Sequence, residues 1–215
     1  MKGKFIVFEG IDGSGTSTQS QLLAEFFQEK QNSCFLTSEP SSGPIGNLIR
    51  QGMKGRVTFA KSNNNPLEQD HVFDEQMAYL FAADRHDHLY NEVDGVFKLV
   101  NSGSVVISTR YYFSSYAYHC TTEEDFQFVK SLNSKFPKPD LVIYLNNPVE
   151  ESLRRIASRA FIDEYENEGK LKLVSKNYEK IFSNYKGNLA IIAANKDIVE
   201  IHNEILEVVN KLFLD

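Results

Sequence analysis

The residues Gly10-Ile11-Asp12-Gly13-Ser14-Gly15-Thr16-Ser17 could hold a phosphate group. Their spacing is G-x-x-x-x-G-K-[ST] with one exception. Glycines at these places let backbone N–H groups converge on phosphate oxygens, and the Ser17 hydroxyl stands where a magnesium ligand is expected. Thr18 follows within reach of the same anion. The exception is Thr16, which occupies the place of the lysine. The scaffold of an anion site is present, and its side-chain cation is missing.

The flanking segments suit that chemistry. Phe5-Ile6-Val7-Phe8 is a short apolar run of strand formers. From Gln19 to Glu29, Leu22, Leu23, Phe26 and Phe27 recur at helical spacing. Strand, glycine loop and helix would set a helix N-terminus behind the phosphate. A plain strand-to-helix turn with three glycines is the rival reading of the loop alone.

Four further apolar runs follow: Cys34–Thr37, Ser104–Ser108, Leu141–Leu145 and Leu189–Ile192, the last before a helix over Ile198–Phe213. Continuous apolar strands alternating with helices predict a five-stranded parallel sheet with helices on both faces, a three-layer α/β fold. The 215 residues suit one domain, 1–215. Ligands of such sheets bind at the carboxyl ends of the strands. That rule gathers Gly10–Thr18, Glu39–Gly46, Thr109–Tyr118 and Asn146–Asn147, with Arg50 and Arg110 as cations suited to a phosphate. Asn63-Asn64-Asn65-Pro66 reads as a polar loop, and Glu164–Lys172 as a solvated loop or a lid.

A net charge of −6, with no dense block of lysine and arginine, argues against nucleic-acid binding through a broad basic surface. Cys34 and Cys120 lack metal-ligand spacing and read as thiols in a reducing compartment. Glu9 interrupts the first apolar run, and no run has the length of a membrane span, so the expectation is a soluble, cytoplasmic protein without a membrane partner. His86 and His88, beside Asp84 and Asp87, stand two apart and would point away from each other on a helix, which speaks against a metal cluster.

The chain resembles the thymidylate kinases over nearly its whole length. The resemblance rests on Phe8–Gly15 with Ser17-Thr18-Gln19, and on Thr37-Ser38-Glu39-Pro40 with Pro44-Ile45-Gly46 and Leu48-Ile49-Arg50. It continues through Leu80-Phe81-Ala82-Ala83-Asp84-Arg85, and through Val106–Tyr111 with Ser114, Ser115, Ala117 and Tyr118. It implies a P-loop NTPase fold and transfer of the γ-phosphoryl group of ATP to dTMP, with magnesium, in a homodimer. It further implies that Asp12 accepts a hydrogen bond from the 3′-hydroxyl, Phe81 stacks on thymine and Arg85 bonds the base edge. Arg110, with Arg50 as a second cation, would grip the acceptor phosphate, and Tyr118 would close the pocket. A lid at 160–170 is expected, with Arg159 as the first choice for the cation that replaces the missing lysine. Arg154, Arg155, Lys170 and Lys172 are the other candidates, and Arg154 and Arg155 read better as solvated charges on an amphipathic helix.

Four departures from the family pattern stand out. Thr16 replaces lysine, Thr109 replaces aspartate, Ser38 replaces arginine, and Ala160–Gly169 holds no arginine. Losing one positive and one negative charge at Thr16 and Thr109 leaves no ion unpaired, so the two changes read as compensating. Two other functions compete with the kinase: a catalytically weak nucleotide-binding relative with a regulatory role, and a related kinase with a different acceptor. Retention of Asp12, Phe81, Arg85, Arg110 and Tyr118 favours the enzyme, and Arg110 and Arg50 favour a phosphorylated acceptor.

Overall fold

The computed structural model describes residues 3–59, 66–157 and 167–213, with 66–71 as backbone alone. Five strands form one sheet: β1 (Lys4–Glu9), β2 (Cys34–Ser38), β3 (Val105–Thr109), β4 (Leu141–Asn146) and β5 (Leu189–Ala193). They run in the order β2-β3-β1-β4-β5, every neighbouring pair parallel. The apolar runs became strands nearly residue for residue: β1, β3 and β4 are covered on both faces and need an unbroken apolar sequence, whereas β2 at the sheet edge leaves Phe35 and Leu36 exposed.

Alternation along β1 divides the core. Ile6 and Phe8 face one side, where Leu23 and Phe27 of α1 (Thr16–Glu29) meet Ile201, Ile205 and Val209 of α9 (Ile198–Phe213). Phe5 and Val7 face the other side. There they pack with α3 (Pro66–Tyr90), α5 (Tyr112–Tyr118) and α8 (Glu168–Ser183), contributing Leu89, Phe113, Val174 and Tyr178 among others. These three layers are the α/β architecture expected. Between them run α2 (Pro44–Met53), α4 (Val96–Asn101), α6 (Glu123–Asn133) and α7 (Val149–Ile156).

β3 and β4 flank β1 on opposite sides, so the loop after β1 opens at the switch point of the sheet, where a crevice forms. Among the described residues no helix is long and apolar enough to cross a membrane.

Ile107 lies in the middle of β3 and is fully buried. Ile107→Ala is expected to lower unfolding free energy by about 2–5 kcal/mol, read from urea denaturation, through lost burial and the cavity left behind.

Candidate active site

The glycine loop folds as the motif requires. Ser14 N donates to Ile11 O at 3.1 Å, closing a turn that α1 continues from Thr16. Gly13 has φ +81°, and a Cβ there would lie 2.7 Å from the Ser152 carbonyl oxygen. Gly10 is equally constrained, since a Cβ would sit 3.0 Å from Leu145 O and nearer still to Ser14 Oγ. Ser14 Oγ is buried without a hydrogen-bond partner among the described residues. An unpaired donor in a tight cradle of backbone amides suits an anion.

The loop forms one wall of a cleft of about 540 Å³. Asp12, Thr16, Ser17, Thr109, Arg110, Arg155 and Lys196 line it. Arg155 is a correction to the sequence reading. It is not a solvated charge: its Nη1 donates to Gly13 O at 3.3 Å and its Nη2 to Ala194 O at 3.1 Å, while Nε meets Glu151 at 2.9 Å. Helical periodicity marks the charged side of α7 but cannot say that this side flanks the loop. Arg154 is 78% exposed, as expected. Lys196 was missed altogether; it follows β5 and pairs with Glu204 and Glu200. The rule that ligands gather at strand ends, applied to the fifth strand, finds it. Lys170 pairs instead with Asp74 at 2.8 Å, and Lys172 with Glu168 at 2.6 Å. Arg159 and residues 160–166 of the expected lid lie outside the described residues; 167–170 begin α8.

Arg110 follows β3 with φ +72°, a left-handed conformation costing a side-chain-bearing residue about 1–3 kcal/mol. Its Nη2 bonds Asp12 Oδ1 and lies 3.2 Å from Tyr118 OH, and Tyr118 OH donates to Asp12 Oδ2 at 2.8 Å. Three residues expected in one site thus form one cluster. Burial opposes the charge on Arg110, but Asp12, Tyr118, Tyr178 and Glu9 together hold its pKa well above the ordinary value.

Glu9, unremarked in the sequence beyond its interruption of an apolar run, is fully buried beneath that cluster. It accepts from Tyr111 N at 2.8 Å, Ser114 Oγ at 2.7 Å and Tyr178 OH at 2.8 Å. Burial pushes its pKa up to about 7 against the pull of those donors and Arg110.

The remaining expected residues lie on α2 and α3. Phe81 is half-buried with its ring 5.3 Å from that of His119, next to Tyr118. His119 stays neutral, since burial, then Lys170 and Arg85, drive its pKa down to about 3. Arg85 is 1% exposed. It bonds Glu39 at 2.8 Å, Ser115 Oγ at 3.2 Å and Asn133 Oδ1. Its neighbour Asp84 bonds Ser41 instead. Arg50 donates to the carbonyls of Pro40 and Ser41 and, at 3.3 Å, to Ser38 Oγ, so it clamps the turn after β2. His88 bridges Thr37 and Glu39, whereas His86 turns to Tyr90.

Strand register refines the view of the departures. Thr16 and Thr109 line the same cleft, but the in-register neighbours of Thr109 are Ser38 on β2 and Phe8 on β1. The family's arginine and aspartate at 38 and 109 would therefore stand side by side on adjacent strands.

The sequence profile described as "Thymidylate kinase" matches residues 8–205. The chain belongs to the thymidylate kinase family. A protein named probable thymidylate kinase in Thermococcus kodakarensis is 38% identical over 210 residues, covering 97% of this chain and 98% of its own. Those so named in Pyrococcus horikoshii and Methanocaldococcus jannaschii are 38% and 35% identical, covering 97% and 94% of this chain and 97% and 93% of theirs. Thr16 and Thr109 line the cleft, and Ser38 stands beside Thr109 on the adjacent strand.

Two outcomes follow from the geometry. Thr109→Asp alone should lower the thermal midpoint, and Ser38→Arg added to it should restore more than Thr16→Lys does, as double-mutant cycles of melting temperature will measure. Glu9 has its folded pKa above its unfolded value of 4.5. The native state then binds more protons, so this stabilisation is complete below pH 4.5 and is lost as pH rises through about 7. At ~1.4 kcal/mol per unit the span amounts to roughly 3 kcal/mol. Urea unfolding from acid to mildly alkaline pH should show this decline in the wild type and not in Glu9→Gln.

Proposed function

We propose that the chain is an active thymidylate kinase, a single nucleoside-monophosphate-kinase domain that transfers the γ-phosphoryl group of ATP to dTMP. A phosphate oxygen of dTMP attacks the γ-phosphorus, the bond to the β-phosphate oxygen breaks, and dTDP and ADP result. The observation that carries this reading is the Arg110–Asp12–Tyr118 cluster beside a complete backbone phosphate cradle in one cleft. Such reactions depend mainly on positioning and on cations around the transferred group.

In this reading Gly10, Gly13, Ser14, Gly15, Thr16, Ser17 and Thr18 hold the ATP phosphates through backbone amides, hydroxyls and the N-terminus of α1. Arg110 grips the acceptor phosphate and Asp12 takes the 3′-hydroxyl. Tyr118 closes the pocket, and Phe81 offers the base a face beside His119. Arg85 serves the base edge with the N–H groups that its protein bonds leave. Arg50 reaches the acceptor phosphate by giving up a carbonyl of its turn. Arg159, just before a lid at 160–170, supplies a further cation. A magnesium ion, which would neutralise charge between the β- and γ-phosphates, suits the Ser17 hydroxyl at the exposed mouth of the cradle. The homodimer is part of the proposal, supported by Tyr79 and Tyr90, about three turns apart on one face of α3 and 52% and 45% exposed. A cytoplasmic location is proposed with it.

ADP release from ATP with dTMP, dUMP, dCMP or thymidine as acceptor tests the reading. Turnover is expected with dTMP foremost; measurable dTMP binding without turnover of any acceptor would sink it. Arg110→Ala should lower kcat/KM for dTMP by about 10²–10³.

A further inference from the structure

Arg110 is donor-only and stands on a strained backbone, so something must hold its guanidinium toward Asp12 before substrate arrives. Nη1 donates to Ser114 Oγ at 3.1 Å. Ser114 in turn donates to Glu9 Oε2 at 2.7 Å. Glu9 lies at the end of β1, Ser114 in α5, and Tyr178, the remaining side-chain donor to Glu9, in α8.

Resting on the kinase reading above, we infer that Glu9 is a positioning residue for acceptor binding, which acts on Arg110 through the Ser114 hydroxyl. The chemistry of the three neighbours requires a carboxylate. Tyr111 N–H can only donate; Ser114, with its lone pairs toward Arg110, sends its proton to Glu9, and the Tyr178 hydroxyl, 3.0 Å from Ser114 Oγ, sends its own to the same carboxylate oxygen. An amide in the place of Glu9 turns an NH2 toward Ser114 and Tyr178, or toward the Tyr111 N–H. In the first orientation Ser114 faces two donors and its hold on Arg110 weakens. Glu9 is absent from the cleft lining and fully buried. Its influence therefore falls on the acceptor phosphate and spares ATP.

The test compares Glu9→Gln, Ser114→Ala, their double and Tyr178→Phe, at about pH 8 where Glu9 is ionised in the wild type. Dissociation constants for dTMP and for ATP are measured by calorimetry, alongside kcat and KM. Glu9→Gln and Ser114→Ala should each weaken dTMP binding about tenfold, the worth of one charge-assisted hydrogen bond, with ATP binding within about twofold. The double variant should be no worse than about either single, because both break one chain. Tyr178→Phe removes a hydroxyl that bonds Glu9 at 2.8 Å and lies 3.0 Å from Ser114 Oγ, but leaves both bonds of the Glu9–Ser114–Arg110 path, so it should lower the melting temperature and keep dTMP affinity within about twofold. Unchanged dTMP affinity in Ser114→Ala, additive losses in the double, or equal losses for dTMP and ATP each overturn the inference. If Glu9→Gln does not fold, Ser114→Ala against Tyr178→Phe decides. The binding readout is independent of turnover: absence of turnover in the wild type counts against the kinase reading and leaves this comparison intact.

Discussion

Two carboxylates leave water at the carboxyl edge of the sheet, and the rest of the site follows from how each is met. A desolvated charge costs several kcal/mol unless donors surround it. Glu9 ends β1 and draws its donors from the Tyr111 backbone, α5 and α8. Glu39 lies just past β2 and draws Arg85 and His88 from α3. Three helices are thereby oriented at the same edge by two acids. The phosphate loop lies between these anchors, and Arg110 leaves β3 directly above one of them.

Each cation among the described residues of the cleft wall arrives with an acidic partner. Arg110 has Asp12, Arg155 has Glu151, and Lys196 has Glu204. With threonine at position 16, positive potential in the loop comes from backbone amides and the start of α1, whose first turn carries no acid. Phosphates entering the cleft compete with carboxylates for side-chain cations. Affinity then rests on exchange of partners more than on a preformed excess of charge.

Much of this was legible in the chain. Unbroken apolar runs became the five strands, and the ends of the first four pointed to the crevice. Asp12, Arg110 and Tyr118 converge as the family resemblance implies. What stayed hidden depends on long-range pairing. Register brings Ser38 beside Thr109, and no local pattern contains that. Periodicity marks Arg155 as part of a charged face without saying what the face meets. Arg85 and Arg50 carry the right charge for a ligand, yet the structure engages both with protein acceptors. Glu9 looked like a break in a hydrophobic run because its partners come from residues 102 to 169 positions away.

Thr16 also has a chemical consequence. A loop lysine is a primary amine and a site for acylation, whether by acetyl donors or by amine-directed nucleotide probes. This loop offers them a secondary alcohol instead. Position 16 gives such reagents nothing to acylate, and the amine that remains among the described residues of the cleft wall is that of Lys196, held by Glu204 and Glu200.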